Sequence, residues 1–403
     1  MKLDVVRNVR KVYHWYQLRD PKYSALSRLP KMAEAYRRLD PVALLFDRVE
    51  FREQPRAVAL LLPSARRENL FAGAMTGLRF ATTLASELAI SVRVIVTDRG
   101  ETTSARQEDA LRERLGTPSL RIDNVGAGAT SAASRDDVWV ASYWTTALAL
   151  DVAARCGLVN PERVIYLVQD YEPGFTSWST EWAVARTTYH AGFHHVVNSS
   201  PLARYLREQE GPIVADDHVM APDLDIRRLQ EVAQRRLPRP LDVFFYARPS
   251  TPRNMYQLGL AAAHRAAGLT QRPWRLVLAG EVVPTPDVPG VEVVNLGRTN
   301  LDGYFDLMAR TPVALSLMMS PHPSHPPLDW AISGGWAVTN NFGDSRKKLH
   351  PRVLTADAHP DALGRLLANT IDTAETGRFM LPATLGRSMF EVVHSLAQMP
   401  EIS

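Results

Sequence analysis

From Arg56 onward, short unbroken apolar runs alternate with longer stretches whose apolar residues recur every three or four positions. The short runs read as buried strands and the longer stretches as helices. Ala57–Leu62 is the first predicted strand. The loop Pro63–Phe71 follows it, and Gly73 and Gly77 open a helix to Leu88 with Leu78, Ala81, Ala85 and Leu88 on one face. Further strands are predicted at Val92–Thr97, Val138–Ala141, Val164–Gln169 and His195–Asn198. Helices are predicted at Ala105–Leu115, from a Ser142 cap to Gly157, and at Trp178–Ala191. Cys156 lies on the second of these and reads as a small core hydrophobe.

Ile213–Arg239 breaks the alternation with Asp216, Asp217, Asp223 and Asp225, then LPRP at Leu237–Pro240. A domain link is expected there. A second alternation follows, with strands at Val243–Tyr246, Leu276–Ala279, Val291–Leu296 and Val313–Leu317. Its helices are expected at Asn254–Ala267, Leu301–Arg310 and Asp361–Asp372. A last helix, Leu385–Gln398, is apolar at Met389, Val392, Val393 and Leu396. Strand–helix order repeated in this way predicts an α/β fold, with parallel sheets covered by helices on both faces. The expected parts are a basic helical arm at 1–55, a Rossmann-like domain at 56–222, a linker at 223–240, a second Rossmann-like domain at 241–380 and a terminal helix at 381–403.

The most informative stretch is Ser316–Asn340, SLMMSPHPSHPPLDWAISGGWAVTN. A loop dense in Pro, Ser and His separates two apolar runs, Val313–Leu317 and Trp336–Thr339. Pro326 and Pro327 suit the first turn of a helix, Leu328–Ser333, that Gly334 and Gly335 end. The helix N-terminus then points to the carboxyl ends of the strands, where open α/β sheets bind ligands. Its free N–H groups and dipole favour a phosphate there. Asp329 in the first turn is either a favourable charge at a helix N-terminus or a partner for a ribose or sugar hydroxyl.

Composition narrows the class. The 403 residues are 45% hydrophobic and 22% charged, a globular balance long enough for two domains. No apolar run is long enough to span a membrane, no secretory signal is visible, and a single cysteine suits a reducing cytosol. The net charge of +4 is unevenly placed: residues 1–56 hold 13 Lys and Arg against 7 Asp and Glu, and the remainder 34 against 36. The basic excess is therefore a property of the arm, and nucleic acid is not expected as a partner. The arm also carries Tyr13, Trp15, Tyr16, Tyr23 and Tyr36. It either packs on the following domain or meets an anionic membrane face.

The stretch SPHPSHPPLD is similar to a segment of retaining glycosyltransferases of the GT-B type, family-4-like. Within that group it resembles bacterial rhamnosyltransferases that draw on dTDP-rhamnose to build surface glycans. LLLPSARRENLFAGAMTGLRF, YLVQDYEPGFTSWSTEWAVA and FFYARPSTPRNMYQLGL resemble the same enzymes, so the likeness covers most of the chain from Arg56. The resemblance implies two Rossmann-like domains facing a cleft, with the last helix crossing back to the first. It implies transfer of a sugar with retention at C1; the expected place is the cytoplasm, peripheral on the cytoplasmic face of the membrane if the basic arm binds there. The family pattern is Glu-x7-Glu; here Pro321 stands at the first position and Asp329 at the second.

A departing diphosphate gains negative charge, so fixed cations and N–H donors lower the barrier. Arg248 and Arg253 flank the loop ARPSTPRN, and Arg298 follows a strand in LGRTN. In the resembling enzymes a basic residue at each of these two loops reaches the diphosphate, and an Arg fork can hold phosphate oxygens in pairs. The resemblance also assigns Gly280, Glu281, His322, Ser324 and Asp329 to the donor. In the first domain, Gly73 and Gly77 with Arg66 and Arg67 resemble the family's acceptor-side loop. Asp170 and Glu172 follow a strand and either bind and deprotonate an acceptor hydroxyl or serve as caps.

No GxGxxG, P-loop, HExxH or paired CxxC motif is present. Asp223-Leu224-Asp225 has the DxD form of a metal motif but falls at the expected link, so no metal and no cofactor beyond the nucleotide-sugar substrate are expected. The partners expected are a nucleotide-sugar donor and a glycan or lipid-linked glycan acceptor. Two alternatives stay open: a UDP- or GDP-sugar donor, and a non-catalytic nucleotide-sugar- or glycan-binding protein.

Overall fold

The computed structural model describes residues 40–65, 72–98, 103–236, 241–346, 348–382 and 385–403. Most of the basic arm, together with Arg66 and Arg67, lies outside the described residues. Among the described residues no helix is long and apolar enough to cross a membrane.

The chain forms two compact units. One comprises the residues up to Val168, Glu172–Val196 and Val393–Ser403; the other comprises Gln169–Tyr171 and Val197–Val392. Fifteen strands are described. They are β1 Val49–Phe51, β2 Ala57–Leu62, β3 Ser91–Val96, β4 Arg121–Asn124, β5 Ser131–Ala133, β6 Val138–Ala141, β7 Val164–Val168, β8 His194–Asn198 and β9 Val219–Met220, then β10 Asp242–Ala247, β11 Arg275–Gly280, β12 Glu292–Asn295, β13 Val313–Leu315, β14 Trp336–Asn340 and β15 Val353–Ala356.

The first large sheet has the order β4-β3-β2-β6-β7-β8-β9. Ala57–Leu62 pairs in parallel with Ser91–Val96 on one side, and Val58–Leu61 with Val138–Ala141 on the other. Every residue of β2, β6 and β7 is buried, as expected for parallel strands covered on both faces. The boundary between the two units falls inside β8. Residues 393–403 count with the first unit, where Arg56 donates to the carbonyls of Ile402 at 2.6 Å and Ser403 at 2.5 Å.

The second sheet has the order β12-β11-β10-β13-β14-β15, again with parallel pairing throughout. Alternation along β10 splits the core between its two faces. Val243, Phe245 and Ala247 pack with Leu363, Leu367 and Ile371 of the helix Pro360–Thr373. Phe244 faces the other way, stacked on Trp330 with ring centroids 4.3 Å apart.

Several expectations change. The stretch expected to be a linker contains a helix, Ile226–Arg235, whose Leu229 and Val232 are fully buried with Phe305 and Met308. Arg228 donates to Asp302 and Arg235 to Asp306, each at 2.7 Å. Amphipathic packing, invisible in a count of acids and prolines, makes this segment part of the second unit. Ser142 does not cap the helix after β6; that helix is Trp144–Arg155, and the Ser142 hydroxyl donates to the carbonyl of Leu61 at 2.8 Å. Cys156 is exposed rather than in the core, because it ends that helix. The helix expected at Trp178–Ala191 is shorter, Thr180–Thr187, with Ser179 as its N-cap.

Candidate functional site

In each large sheet the strand order reverses between two strands that are not consecutive, β2 with β6 and β10 with β13. Such switch points are where open parallel sheets bind ligands. Because the second sheet is parallel, the loops after β10, β11, β12, β13 and β14 share one edge. The residues placed there are Arg248–Asn254, Gly280 and Glu281, Arg298, Ser316–Ser324, and Asn340 with Arg346.

The Pro-Ser-His loop is built rather than slack. Arg346 is 1% exposed. Its Nη1 donates to Thr339 Oγ1 at 3.0 Å and to the carbonyl and side-chain oxygens of Asn340, each at 2.9 Å. Its Nη2 donates to the carbonyls of Met318 at 2.5 Å and Ser320 at 2.9 Å. Burial pushes the Arg346 pKa down to about 10, so the guanidinium stays charged at neutral pH. Asn340 closes the same loop from β14, accepting from the Met318 N–H at 2.8 Å and donating to the Met318 carbonyl at 3.0 Å. Asn254 Nδ2 donates to the Leu317 carbonyl at 3.2 Å, and the Arg253 carbonyl accepts from the Met319 N–H at 2.7 Å. The loops flanking the β10–β13 switch are thereby tied to one another.

Asp170, grouped with this unit, enters the same network. Its Oδ1 accepts from the Ser320 hydroxyl and from the Tyr171 N–H, and its Oδ2 lies 3.6 Å from Arg253 Nε. Burial raises the Asp170 pKa against the pull of Arg253 and Ser320. Asp170 thus anchors the loop, and Arg253 is its counter-ion. Glu172 counts with the other unit, where it is 3% exposed. Its carboxylate accepts from the Trp144 N–H and, at 2.9 Å, from the Tyr166 hydroxyl. The two acids expected to act together on an acceptor therefore hold separate structural positions.

His322 is 7% exposed, and its Nδ1 accepts from the Ser324 N–H at 3.1 Å. Burial, with His325, Arg346 and Arg253 nearby, pushes its pKa down to about 3, so the ring is neutral. A neutral imidazole that accepts at Nδ1 carries its proton on Nε2. That Nε2–H is buried without a partner among the described residues. The same is true of Ser316 Oγ, Asn254 Oδ1 and Arg346 Nε, all in this region. Buried polar atoms are seldom left unpaired. Ser324 adopts φ 67° and ψ 157°, a conformation costly for a residue with a side chain and often stored at functional sites.

The helix after this loop spans His325–Ile332, three residues earlier than expected. Pro326 and Pro327 therefore occupy its second and third positions and remove two of its first free N–H groups. The dipole remains, but the donor set that an N-terminal phosphate would use is halved. Asp329 falls in the second turn rather than the first, so the helix-end charge reading loses its basis. Tyr304 Oη donates to Asp329 Oδ2 at 2.8 Å. Tyr304 is itself held edge-on to Trp330, with ring centroids 5.6 Å apart. Burial pushes the Asp329 carboxyl up to about 7, with Asp225 adding to the rise and the Tyr304 hydroxyl opposing it.

The expected cations differ in their freedom. Arg248 lies 3.6 Å from Glu281 and its side chain is 41% exposed. Glu281 also accepts from the Ser250 N–H at 3.1 Å and from the Ser250 hydroxyl, which buttresses the loop. Gly280 has φ 146°, and a Cβ there would lie 2.4 Å from the Ala247 carbonyl oxygen, so no larger residue fits this crossing. Arg298 is exposed and makes no ion pair among the described residues. Gly73 and Gly77 lie inside the helix Ala72–Glu87, and a Cβ at Gly77 would meet Ser142 at an ordinary 3.6 Å. Asp225, half of the DxD-like tripeptide, caps the helix Ile226–Arg235 by accepting from the Arg228 N–H at 3.1 Å. No cluster of three or more His, Cys, Asp or Glu side chains placed for a metal occurs among the described residues.

Arg346 and Tyr304 were not expected from the sequence. Tyr304 had one available signal, its place on an amphipathic helix preceding β13. Arg346 had none, because its role is made by carbonyls many residues away.

Two parallel α/β units of this order define the GT-B fold. The solved Anabaena protein Alr3699/HepE, in complex with UDP and glucose, matches with a TM-score of 0.53 at 12% identity, over 85% of this chain and 94% of that one. Sucrose-phosphate synthase from Thermosynechococcus elongatus matches with a TM-score of 0.50 at 14% identity, over the same shares. At these identities the likeness concerns the fold alone. The family models are more specific. Residues 57–199 match the N-terminal domain of WsaF and residues 241–368 its C-terminal domain. Together the two matches span 271 of the 403 residues in chain order, and the chain belongs to the WsaF family. The O-antigen biosynthesis protein RfbC of Myxococcus xanthus is 33% identical over 264 residues, which are 64% of this chain and 19% of that protein. This chain thus spans about a fifth of the length of that curated relative.

Proposed function

We propose that this chain is a glycosyltransferase that moves a sugar from a nucleotide-sugar to a growing surface glycan, with rhamnose from dTDP-rhamnose as the donor. The observation that carries the reading is the convergence of Arg248, Arg298 and the braced Ser316–Ser324 loop on one edge of the second sheet. Membership of the WsaF family and the name of the RfbC relative, an O-antigen biosynthesis protein, support the choice of a surface glycan.

In this reading Arg248 and Arg298 take the diphosphate and neutralise the charge that builds as the C1–O bond breaks. His322 offers the Nε2–H of a neutral ring, and Asp329 accepts a sugar or ribose hydroxyl on the oxygen that Tyr304 leaves free. The acceptor hydroxyl forms the new bond to C1 and loses its proton as dTDP departs. Retention at C1 keeps acceptor and leaving group on one face of the sugar, so the departing phosphate oxygen can take that proton. With two arginines supplying the positive charge, no metal is needed.

The test is to incubate the full chain with dTDP-rhamnose in the presence of EDTA, while following dTDP release and the configuration at C1 of the product. Slow release without acceptor, faster release with a rhamnose-terminated oligosaccharide, and retained configuration are expected. Binding without any turnover would identify a nucleotide-sugar-binding module instead. Turnover only with UDP- or GDP-sugars would reject the donor, and activity restored solely by Mg²⁺ or Mn²⁺ would reject the arginine mechanism.

A further inference from the structure

We propose that Trp178, seated on Trp182, is a stacking platform for a pyranose ring of the glycan acceptor; this rests on the glycosyltransferase reading above. Trp178 is 85% exposed, the most exposed of the large hydrophobic side chains among the described residues. An indole left in water forfeits the burial that usually stabilises it, so its position asks for a reason. It is not a loose side chain. Its ring stacks on that of Trp182 with centroids 4.6 Å apart and planes inclined by 20°. The backbone at Trp182 is fixed in turn, because its main-chain N–H donates to the Ser179 hydroxyl at 3.2 Å as that residue caps the helix Thr180–Thr187. The Arg186 guanidinium lies 5.8 Å from the Trp182 ring centre.

The location points the same way. Trp178 follows β7, whose neighbour β6 stands at the switch point of the first sheet. Tyr143, which follows β6, stacks on Phe175, which follows β7, with centroids 5.8 Å apart. Two stacked aromatic pairs thus decorate the carboxyl edge of these two strands, the edge on which such sheets present ligands.

The chemistry selects a sugar. One face of a pyranose is a row of C–H groups, weakly positive and apolar, and it matches the negative face of an indole. A 6-deoxy sugar adds a methyl group to the surface that can be covered. Hydroxyls at the ring edge need mixed partners, and the helix supplies one acid, Glu181, and one base, Arg186. An anionic lipid surface would instead select a cluster of basic residues, which Thr180–Thr187 does not have.

The experiment compares the full chain with Trp178→Ala and Trp178→Phe by calorimetric titration. The probes are rhamnose, mannose and glucose trisaccharides, dTDP, and vesicles of mixed neutral and anionic phospholipid. Trp178→Ala should weaken the preferred trisaccharide at least about tenfold, the size of an aromatic hot spot, and Trp178→Phe should restore most of it. Binding of dTDP, the melting temperature and any vesicle binding should not change. Equal trisaccharide binding by wild type and Trp178→Ala would overturn the proposal. So would no binding of any trisaccharide by the wild type, or a loss confined to vesicles. A chain that binds trisaccharide through Trp178 but no nucleotide would reject the glycosyltransferase reading while leaving the platform in place.

Discussion

At the carboxyl edge of the second sheet, the loop after β13 is buried and stitched by Arg346, Asn340, Asn254 and Asp170. At the same edge of the first sheet, the segment after β7 ends in a tryptophan that is 85% exposed. Both edges follow from the same parallel topology, yet one spends buried charge and hydrogen bonds on fixing a backbone, and the other leaves aromatic surface in water. A diphosphate rewards the first solution, because donors aimed in advance need no reorganisation as charge develops. A sugar chain of variable register rewards the second, because stacking tolerates sliding where hydrogen bonds do not.

The largest effect should come from Arg346→Met. Its guanidinium serves carbonyls of four residues, Met318, Ser320, His322 and Asn340. Each loses a charged donor in a dry setting, so unfolding free energy should fall by about 3–5 kcal/mol. Trp178→Ala, at the other edge, should change it by less than about 0.5 kcal/mol. Denaturant titration of both variants decides the contrast. Comparable losses would mean that the two edges are not built differently.

Asp329→Asn comes next, and here the sign of the effect is informative. Burial pushes the carboxyl from its ordinary value of 3.8 up to about 7 in the folded chain. The folded state therefore holds a proton that the unfolded state releases between these values. Its stabilising effect is complete below about pH 3.8 and is lost as pH rises through 7. Above pH 7 the wild type carries a buried carboxylate that Asn avoids, so the variant should gain on the wild type by on the order of 2–4 kcal/mol at pH 8–9. If the carboxylate meets a substrate hydroxyl, turnover should still fall at least about tenfold. Unfolding measured from pH 5 to 9, beside kcat/KM, separates the two roles. A variant that loses stability relative to wild type as pH rises would contradict this account of the residue.

The sequence carried the architecture further than it carried the site. Unbroken apolar runs such as Ala57–Leu62 and Val243–Tyr246 announce buried parallel strands because both faces of each strand are covered. The two-residue β9 and the three-residue β1 and β5 are too short to show any period. Pro326 and Pro327 were legible as an early helical turn, but Ser324 turns the chain with a positive φ. The helix therefore starts at His325, and Asp329 moves out of the first turn. The Asp170–Ser320 pairing joins residues 150 positions apart, and no local pattern encodes it. Buried polar networks of this kind are specified by tertiary geometry, whereas the loop cations Arg248 and Arg298 could be placed from the strand ends that precede them.

Arg298 gives the smallest predicted effect and the sharpest test of what the second edge is for. It follows β12 in the turn at Gly297, where φ is 61°. The Gly297 carbonyl accepts from the Gly280 N–H at 2.9 Å, so the turn is fixed to the end of β11 by backbone alone. The side chain contributes nothing to that fixation. It is exposed and has no ion-pair partner among the described residues, unlike Arg253, which faces Asp170, and Arg248, which faces Glu281. An exposed arginine of this kind stabilises a fold by only a few tenths of a kcal/mol, so Arg298→Ala should leave the melting temperature almost unchanged. If its charge is reserved for a diphosphate, dTDP-rhamnose should bind less tightly or turn over more slowly by about 1.5–3 kcal/mol, the usual worth of a charge-assisted hydrogen bond. Arg298→Lys should recover part of the loss, since a point charge replaces the fork without its paired geometry. Raising the salt concentration should narrow the gap between wild type and variant, because an exposed charge is screened. Titration calorimetry with dTDP and with dTDP-rhamnose at two ionic strengths measures each term. Unchanged affinity and rate in the alanine variant would remove Arg298 from the donor site, leaving the half-buried Arg248 on that edge to be tested in the same way.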